Sequence, residues 1–279
     1  MQVTQDNQTI LGGAVLQLAQ RIDRLFSHWA LGFGAEEQRC SPLVSVAQLH
    51  KLEYFKSFPH QAIFPVSLSP DNENLSAFAE DPVSSEGQLQ LTKTSPIDHC
   101  LAPAACFPIY ISMTGQKLPA TSYVTLRSLC FRKEQSLKPL ERQTTFTMRE
   151  VVCIGAQDDV REFLDQFRRI LEHFFAHWNL PVALERATDP FFNIATNRKY
   201  IMQKVAPLKH EMVFDGHLAI GSINFHQNSF GEVFDISYQG NPVFSGCVAF
   251  GIERWVFAFL DYFGPEPGDW PGFEELVAG

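Results

Sequence analysis

No run in this sequence approaches the ~18–20 consecutive apolar residues that a membrane-spanning helix needs. Its start, Met1 to Thr9, lacks the basic block and the apolar block of a secretory signal. A cytoplasmic protein without a membrane partner is therefore expected. Positive charge is scarce: 22 Lys and Arg face 31 Asp and Glu, a net charge of −9, and no Lys/Arg cluster stands out. Proteins that neutralise many phosphates carry a basic excess, so extensive contact with DNA or tRNA is disfavoured. The six cysteines (Cys40, Cys100, Cys106, Cys130, Cys153, Cys247) form no CxxC pair. In a cytosolic chain this argues against a disulfide framework and leaves core packing, metal binding or catalysis.

Familiar nucleotide and protease signatures are missing too. Gly32-Phe33-Gly34 opens like a dinucleotide fingerprint, but it follows a helical pattern and Glu37 stands where the third small residue belongs. His210-Glu211 has Phe214 in place of the second zincin histidine. No P-loop and no nucleophile elbow is present. His173 and His177 lie four apart on one helical stretch, a spacing that can hold metal but is far more often surface filling.

What is there is a well-supplied core: 45% of the 279 residues are hydrophobic and 25 are Phe. That many aromatics suggests a sheet-rich interior, because rings suit a pleated, half-buried surface. Leu11 to Trp29 and Asp158 to Trp178 place apolar residues on one face at helical spacing, and Asn179-Leu180-Pro181 ends the second helix. Arg39 to Pro65 is irregular, and Ser69 to Gln90 reads as a short helix plus loop. Thr121–Arg132 and Thr144–Ile154 read as strands of an antiparallel hairpin around a charged loop. His217–His226 and Glu232–Tyr238 read as two more, turned at Gly231, and Cys247–Phe263 passes from strand to helix. The expectation is one α+β domain over residues 1–279, an antiparallel sheet flanked by helices, with neither a repeat nor a linker.

Two segments carry chemistry. Cys130-Phe131-Arg132-Lys133-Glu134, a loop, then Phe146-Thr147-Met148-Arg149-Glu150 resembles motif 2 of the class II aminoacyl-tRNA synthetases. Gly246 to Arg254 resembles their motif 3. Within the class, Ala102-Pro103-Ala104-Ala105-Cys106 is similar to a segment of the amino acid:[carrier protein] ligases, homologues of the zinc-containing seryl-tRNA synthetases of methanogens. The likeness extends to Tyr54–Pro59, Leu118-Pro119 and Asp189-Pro190-Phe191-Phe192. Ala102 departs from the threonine that the family often has.

The resemblance implies activation of a small amino acid, glycine favoured, by attack of its carboxylate on ATP, where developing negative charge must be neutralised. It assigns Arg132 to the α-phosphate and substrate carboxylate, and Arg254 to the γ-phosphate and one adenine face. Phe146 takes the other face and Glu134 the adenine amino group, while Glu211, with Asn224 beyond it, holds Mg2+ on the phosphates. It also implies Zn2+ on Cys106, Glu150 and Cys247, leaving a fourth position open for the substrate amine. The acceptor implied is the phosphopantetheine thiol of a carrier protein rather than tRNA, since only one helix and a short stretch precede the core. The basic loop residues Arg132, Lys133, Lys138 and Arg142 are the expected guide for that partner, with Arg39, Lys51 and Lys56 as a second choice. A homodimer formed around His99–Lys117 is expected from the class and from the frequency of twofold pairing. Alternatives are a minimal aminoacyl-tRNA synthetase, an adenylate-dependent amide-forming ligase, and a non-catalytic synthetase-like regulator.

Overall fold

Helix α1 (Gly13–Gly32) turns Leu18, Ile22, Leu25 and Phe26 inward at three- and four-residue spacing. In this computed structural model, residues 2–3, 9–195 and 197–272 are described. The chain then enters strand β1 (Glu36–Gln38). A small ladder, Leu43–Ser45 against His99–Leu101, brackets three short helices, Val46–Lys51, Tyr54–Ser57 and Asn72–Glu80. Helix α2 (Phe107–Ser112) leads to the long hairpin of β2 (Ser122–Phe131) and β3 (Thr145–Gly155). Helix α3 (Gln157–Trp178) follows, stopped by Asn179 in the left-handed region (φ 50°). After β4 (Val182–Arg186) come helix α4 (Arg198–Val205) and the hairpin of β5 (Lys209–Phe214) and β6 (Leu218–Gln227). Helix α5 (Ser229–Phe234), β7 (Phe244–Gly251) and α6 (Ile252–Phe263) complete the frame.

The seven strands form one sheet in the order β1-β2-β3-β7-β6-β5-β4. All neighbours are antiparallel except β1 and β2. Helices α1, α3 and α6 cover one face, and their Phe26, Phe167, Phe174, Trp255 and Phe259 fill the main core against Phe250 of β7. The phenylalanines thus line the helix–sheet interface and sit on helices as much as on strands. The other face is roofed by α2, α5 and the segment before α2.

Because side chains alternate along a strand, β3 serves both layers. Arg149 turns to the helical face, donating to Asp23 of α1 at 2.8 and 3.0 Å and to Glu37 at 2.8 Å. Glu150 turns the other way, under the roof. At Gly246 any side chain would meet the Asn224 carbonyl and Leu164, each 2.9 Å from an ideal Cβ. Helix α3 packs there because glycine lets it.

Both long helices, the β2–β3 hairpin and the strand-to-helix passage into α6 form as the periodicity predicts. The pairing of His217–His226 with Glu232–Tyr238 does not. Ser229–Phe234 is helix α5, and β6 pairs instead with β5 and β7. Phe230 and Phe234 lie four apart and are both buried on one helical face, so the four-residue period outweighs the turn preference of Gly231. His173 and His177 are exposed with ring centroids 6.3 Å apart, in keeping with surface filling. No helix among the described residues is long and apolar enough to cross a membrane.

Candidate active site

Under the roofed face, Cys106 at the start of α2, Glu150 of β3 and Cys247 of β7 come together, their ligand-type atoms all within 4.8 Å of one another. Each keeps only 2–3% of its exposure. Register explains two of them: Cys247 pairs with Val152 and Ala249 with Glu150, so Glu150 and Cys247 share a face on adjacent strands. Cys106 arrives from above, where the Ala105 N–H donates to Glu150 Oε1 at 2.9 Å. Glu150 Oε2 is buried and has no hydrogen-bond partner among the described residues. A buried carboxylate oxygen without a donor is costly, and a cation among two sulfurs and this oxygen removes the cost.

The charges fit the same use. Burial, with the Cys247 thiolate nearby, pushes Glu150 up to about 7. A hydrogen bond shared with Cys247, burial and Glu150 push Cys106 well above the usual thiol range, and the same shared bond, aided by His226 and Asn224, draws Cys247 well below it. Cys247 is thus the ready thiolate of the pair. Cys130 and Cys153 are buried thiols outside this cluster, and burial pushes Cys153 up to about 12.

Beside the trio lies a half-buried cluster of charge. Arg132, just past β2, donates Nε–H to the Pro103 carbonyl at 2.9 Å and lies over the Phe146 ring at 5.1 Å. Arg254, in the first turn of α6, donates to the Glu141 carbonyl at 2.7 Å and the Ala219 carbonyl at 2.8 Å. Burial, Arg132 and Arg142 lower Arg254, while Glu134 and Glu211 oppose them. Arg132, Glu134, Glu211 and Arg254 therefore share one electrostatic neighbourhood, in which Arg132 and Arg142 both repel Arg254. Glu134 is bridged to Arg142 at 3.2 Å. Glu211 of β5 is paired with Lys209 at 2.9 Å. Asn224 of β6 faces the trio, its amide 3.4 Å from Cys247 Sγ and 2.9 Å from Ser222 Oγ.

Sequence reasoning missed Lys209 and His226. Lys209 is 9% exposed and bridges Asp189, at 2.7 Å, to Glu211. His226 stands next to Cys247 on the neighbouring strand, with Tyr110 and Ser245 at its other nitrogen. A lone histidine near a strand end gives no signal in a sequence. Its place is set by a register shift between Phe225 and Gln227.

A seven-stranded, mainly antiparallel sheet with a strand–loop–strand arginine and a strand–helix arginine defines a class II synthetase core. The tRNA synthetase class II core domain (G, H, P, S and T) matches residues 95–263. The chain belongs to that family and, within it, to the amino acid–[acyl-carrier-protein] ligases. It is 34% identical to amino acid–[acyl-carrier-protein] ligase 1 of Bradyrhizobium diazoefficiens, over 88% of this chain and 77% of that protein. Against ligase 2 of the same organism it is 31% identical, over 85% and 72%. The type-2 serine–tRNA ligase of Methanococcus aeolicus is 24% identical over 85% of this chain, which spans about half (49%) of that enzyme's length. The M. kandleri SerRS seen in complex with A. aeolicus tRNASec superposes with a TM-score of 0.78 at 19% identity, over 95% of this chain and 56% of that one.

Proposed function

We propose that this chain activates a small amino acid with ATP and passes it to the phosphopantetheine thiol of a carrier protein. The observation that carries the reading is the juxtaposition, around one sheet face, of the buried Cys106–Glu150–Cys247 trio with Arg132 and Arg254. The amino acid carboxylate attacks the α-phosphorus, and the bond to pyrophosphate breaks. Arg132 neutralises charge at the α-phosphate, Arg254 at the γ-phosphate, and Glu211 accepts the Mg2+ that accompanies pyrophosphate. Adenine lies between Phe146 and Arg254, which requires Arg132 to swing off the Phe146 ring toward the phosphates, and Glu134 accepts from its amino group. In the second step the carrier thiol attacks the activated carbonyl and AMP leaves, a step that needs mainly placement.

Cys106, Glu150 and Cys247 would hold Zn2+, and the donor set with its orphaned Glu150 oxygen fits that ion. When bound, the ion offers an open position that takes a neutral amine. Glycine is the favoured substrate, and Tyr110, stacked on Phe230 at 3.8 Å beside His226, suits a small side chain near the trio. Asn224, which faces Cys247, supports the amino acid end of the site more than the Mg2+ end. A cytoplasmic setting and no role for tRNA belong to the same reading, and the whole of residues 1–279 serves as one catalytic unit.

Purified protein is expected to exchange pyrophosphate into ATP only when a small amino acid is supplied. Arg132→Ala and Arg254→Ala are each expected to lower that exchange by about 10²-fold or more, the scale of a lost transition-state donor. No exchange with any of a panel of small amino acids overturns the reading.

A twofold dimer is part of it. Ile109 and Tyr110 of the expected interface region are buried within the chain. The apolar surface nearby is instead Leu43, Phe64, Val66 and Ile97, each at least 40% exposed, and Phe64 and Ile97 line, with Val46 and Phe55, a hollow of about 240 Å³. An isologous partner covers such a patch. Light scattering at micromolar concentration should return about twice the 31.5 kDa chain mass, and a clean 31.5 kDa species contradicts it.

A further inference from the structure

The proposed metal site has an immediate problem of charge. Two thiolates and a carboxylate outweigh a divalent ion by one negative charge, and all three side chains are almost fully buried. Surplus charge in such a place is expensive unless hydrogen-bond donors reach it. The Ala105 N–H reaches Glu150. The surroundings of Cys247 provide the rest.

We infer that His226 is a positioning residue for the metal centre, donating its Nε2–H to the sulfur of Cys247 and tuning that thiolate as a ligand. His226 Nε2 lies 3.6 Å from Cys247 Sγ, a normal separation for a hydrogen bond to sulfur. The other ring nitrogen, Nδ1, is 3.1 Å from the Tyr110 hydroxyl and 3.3 Å from Ser245 Oγ. One of these hydroxyls donates to Nδ1, which leaves the proton on Nε2, toward the sulfur. An imidazolium also carries a proton on Nε2, so the donation does not depend on the ring's charge. The Phe230 ring meets the histidine edge-on at 5.1 Å and limits its rotation. Tyr110 and Ser245 are themselves 0% exposed, so the ring is held by fixed partners from α2 and β7.

His226 is not one of the group whose ligand atoms all lie within 4.8 Å of one another, which argues for an outer partner over a fourth ligand. Asn224 Nδ2 supplies a second N–H to the same sulfur at 3.4 Å. Two donors on one thiolate withdraw electron density from it. They also stabilise its buried negative charge, so it stays an anionic ligand, and the electron density they withdraw would leave a bound metal the stronger Lewis acid, as suits a site that must take a neutral amine. Among the described residues no side-chain N–H reaches the Cys106 sulfur in this way, so the two thiolates are unequal partners.

This inference rests on the zinc reading above, and its test separates the two. Wild type, His226→Phe, His226→Gln and Tyr110→Phe are compared for Zn2+ affinity by chelator competition and, with Co2+ in place of Zn2+, for the sulfur-to-cobalt charge-transfer band. His226→Phe keeps ring volume but loses the N–H. It should weaken metal binding about 10–100-fold, the usual range for a lost outer partner, and move the band to longer wavelength. His226→Gln, whose amide can donate to the same sulfur, should recover most of both. Tyr110→Phe frees one side of the ring and should move both readouts in the same direction by less, which keeps the test available if His226→Phe folds poorly. Unchanged affinity and spectrum in His226→Phe and Tyr110→Phe overturn the inference. Complete metal loss in His226→Phe without recovery in His226→Gln overturns it in favour of a direct ligand. A wild-type protein that takes up neither ion overturns the zinc reading itself, and is recognisable because no variant then gives a band.

Discussion

Asp189 and Lys209 show how a buried charge can be held ready beside the proposed nucleotide site. Lys209 Nζ donates to Asp189 at 2.7 Å, and Gln203 closes on the same residue through two bonds of 2.7 Å. Burial alone would raise Asp189, but Lys209 outweighs it and holds the carboxyl below its ordinary 3.8. Burial likewise opposes Lys209, and Asp189 with Glu211 holds it above its ordinary 10.5. A carboxylate held low stabilises the fold above its ordinary value and loses that contribution as pH falls through the lowered one. A lysine held high contributes below its ordinary value and loses it as pH rises through the raised one. The pair therefore acts between roughly pH 4 and pH 10. The Asp189 side chain keeps 34% of its exposure, so screening trims its worth to about 1–2 kcal/mol. Urea unfolding should show Asp189→Asn less stable than wild type by that amount at pH 7, with the gap narrowing as pH falls below the ordinary 3.8. A gap that does not change with pH contradicts this account. Such pairs are invisible in a sequence because Asp189 and Lys209 belong to different elements. The trio of Cys106, Glu150 and Cys247 was legible only through family resemblance, since its members are spread over three elements and follow no local motif. His226 was not legible at all, because Tyr110, its partner, lies 116 residues away.

At the scale of elements, strong periodicity was enough for α1, α3 and α6, where one face is buried, and two long apolar-rich runs around a charged loop were enough for the β2–β3 hairpin, although β3 is buried on both faces. It failed where elements are short. β4 and β5 are five and six residues long, too brief to establish a period. Helix α4 escaped notice for another reason: it has no buried residue, so it has no apolar stripe facing a core. Its exposed face carries Ile201, Met202 and Val205, the last 78% exposed, among Arg198 and Lys204, while Lys199 is engaged with Glu53 at 3.8 Å and the Leu52 carbonyl at 2.7 Å. Of the four loop cations first expected to guide a carrier, two are ion-paired, Arg142 with Glu134 at 3.2 Å and Lys138 with Glu141 at 2.6 Å, and in the second-choice set Lys56 pairs with Glu53 at 3.1 Å. On a chain of net charge −9, α4 is thus the better candidate to meet an acidic carrier protein. Gln203 ties the same helix to Asp189, and through Lys209 to Glu211 beside the nucleotide residues. The triple change Ile201→Ala, Met202→Ala, Lys204→Ala should lower transfer to the carrier about 10-fold or more, by loss of about 1.4 kcal/mol or more of interface contact. Pyrophosphate exchange should hold. Equal loss of both, or loss of neither, contradicts α4 as the docking surface.

For the molecule as a whole, the sheet keeps packing and chemistry on opposite faces. Three aromatic-rich helices fill one face with the main core, which frees the other to gather thiolates, a carboxylate and arginines under a thin roof. Fold class and the order of the two arginine segments were readable from the sequence, because strand–loop–strand and strand–helix patterns are local. The acceptor was not, since it depends on surfaces that form only when distant segments meet. The central claim is that the activated amino acid goes to a carrier thiol. Intact-mass spectrometry of a phosphopantetheine-bearing carrier protein, incubated with this enzyme, ATP, Mg2+ and glycine, tests it most directly. The account predicts a gain of one amino acid residue on the holo carrier, released by hydroxylamine as a thioester is, and no gain on the apo carrier. Charging of bulk tRNA under the same conditions, with the carrier unmodified, would contradict it.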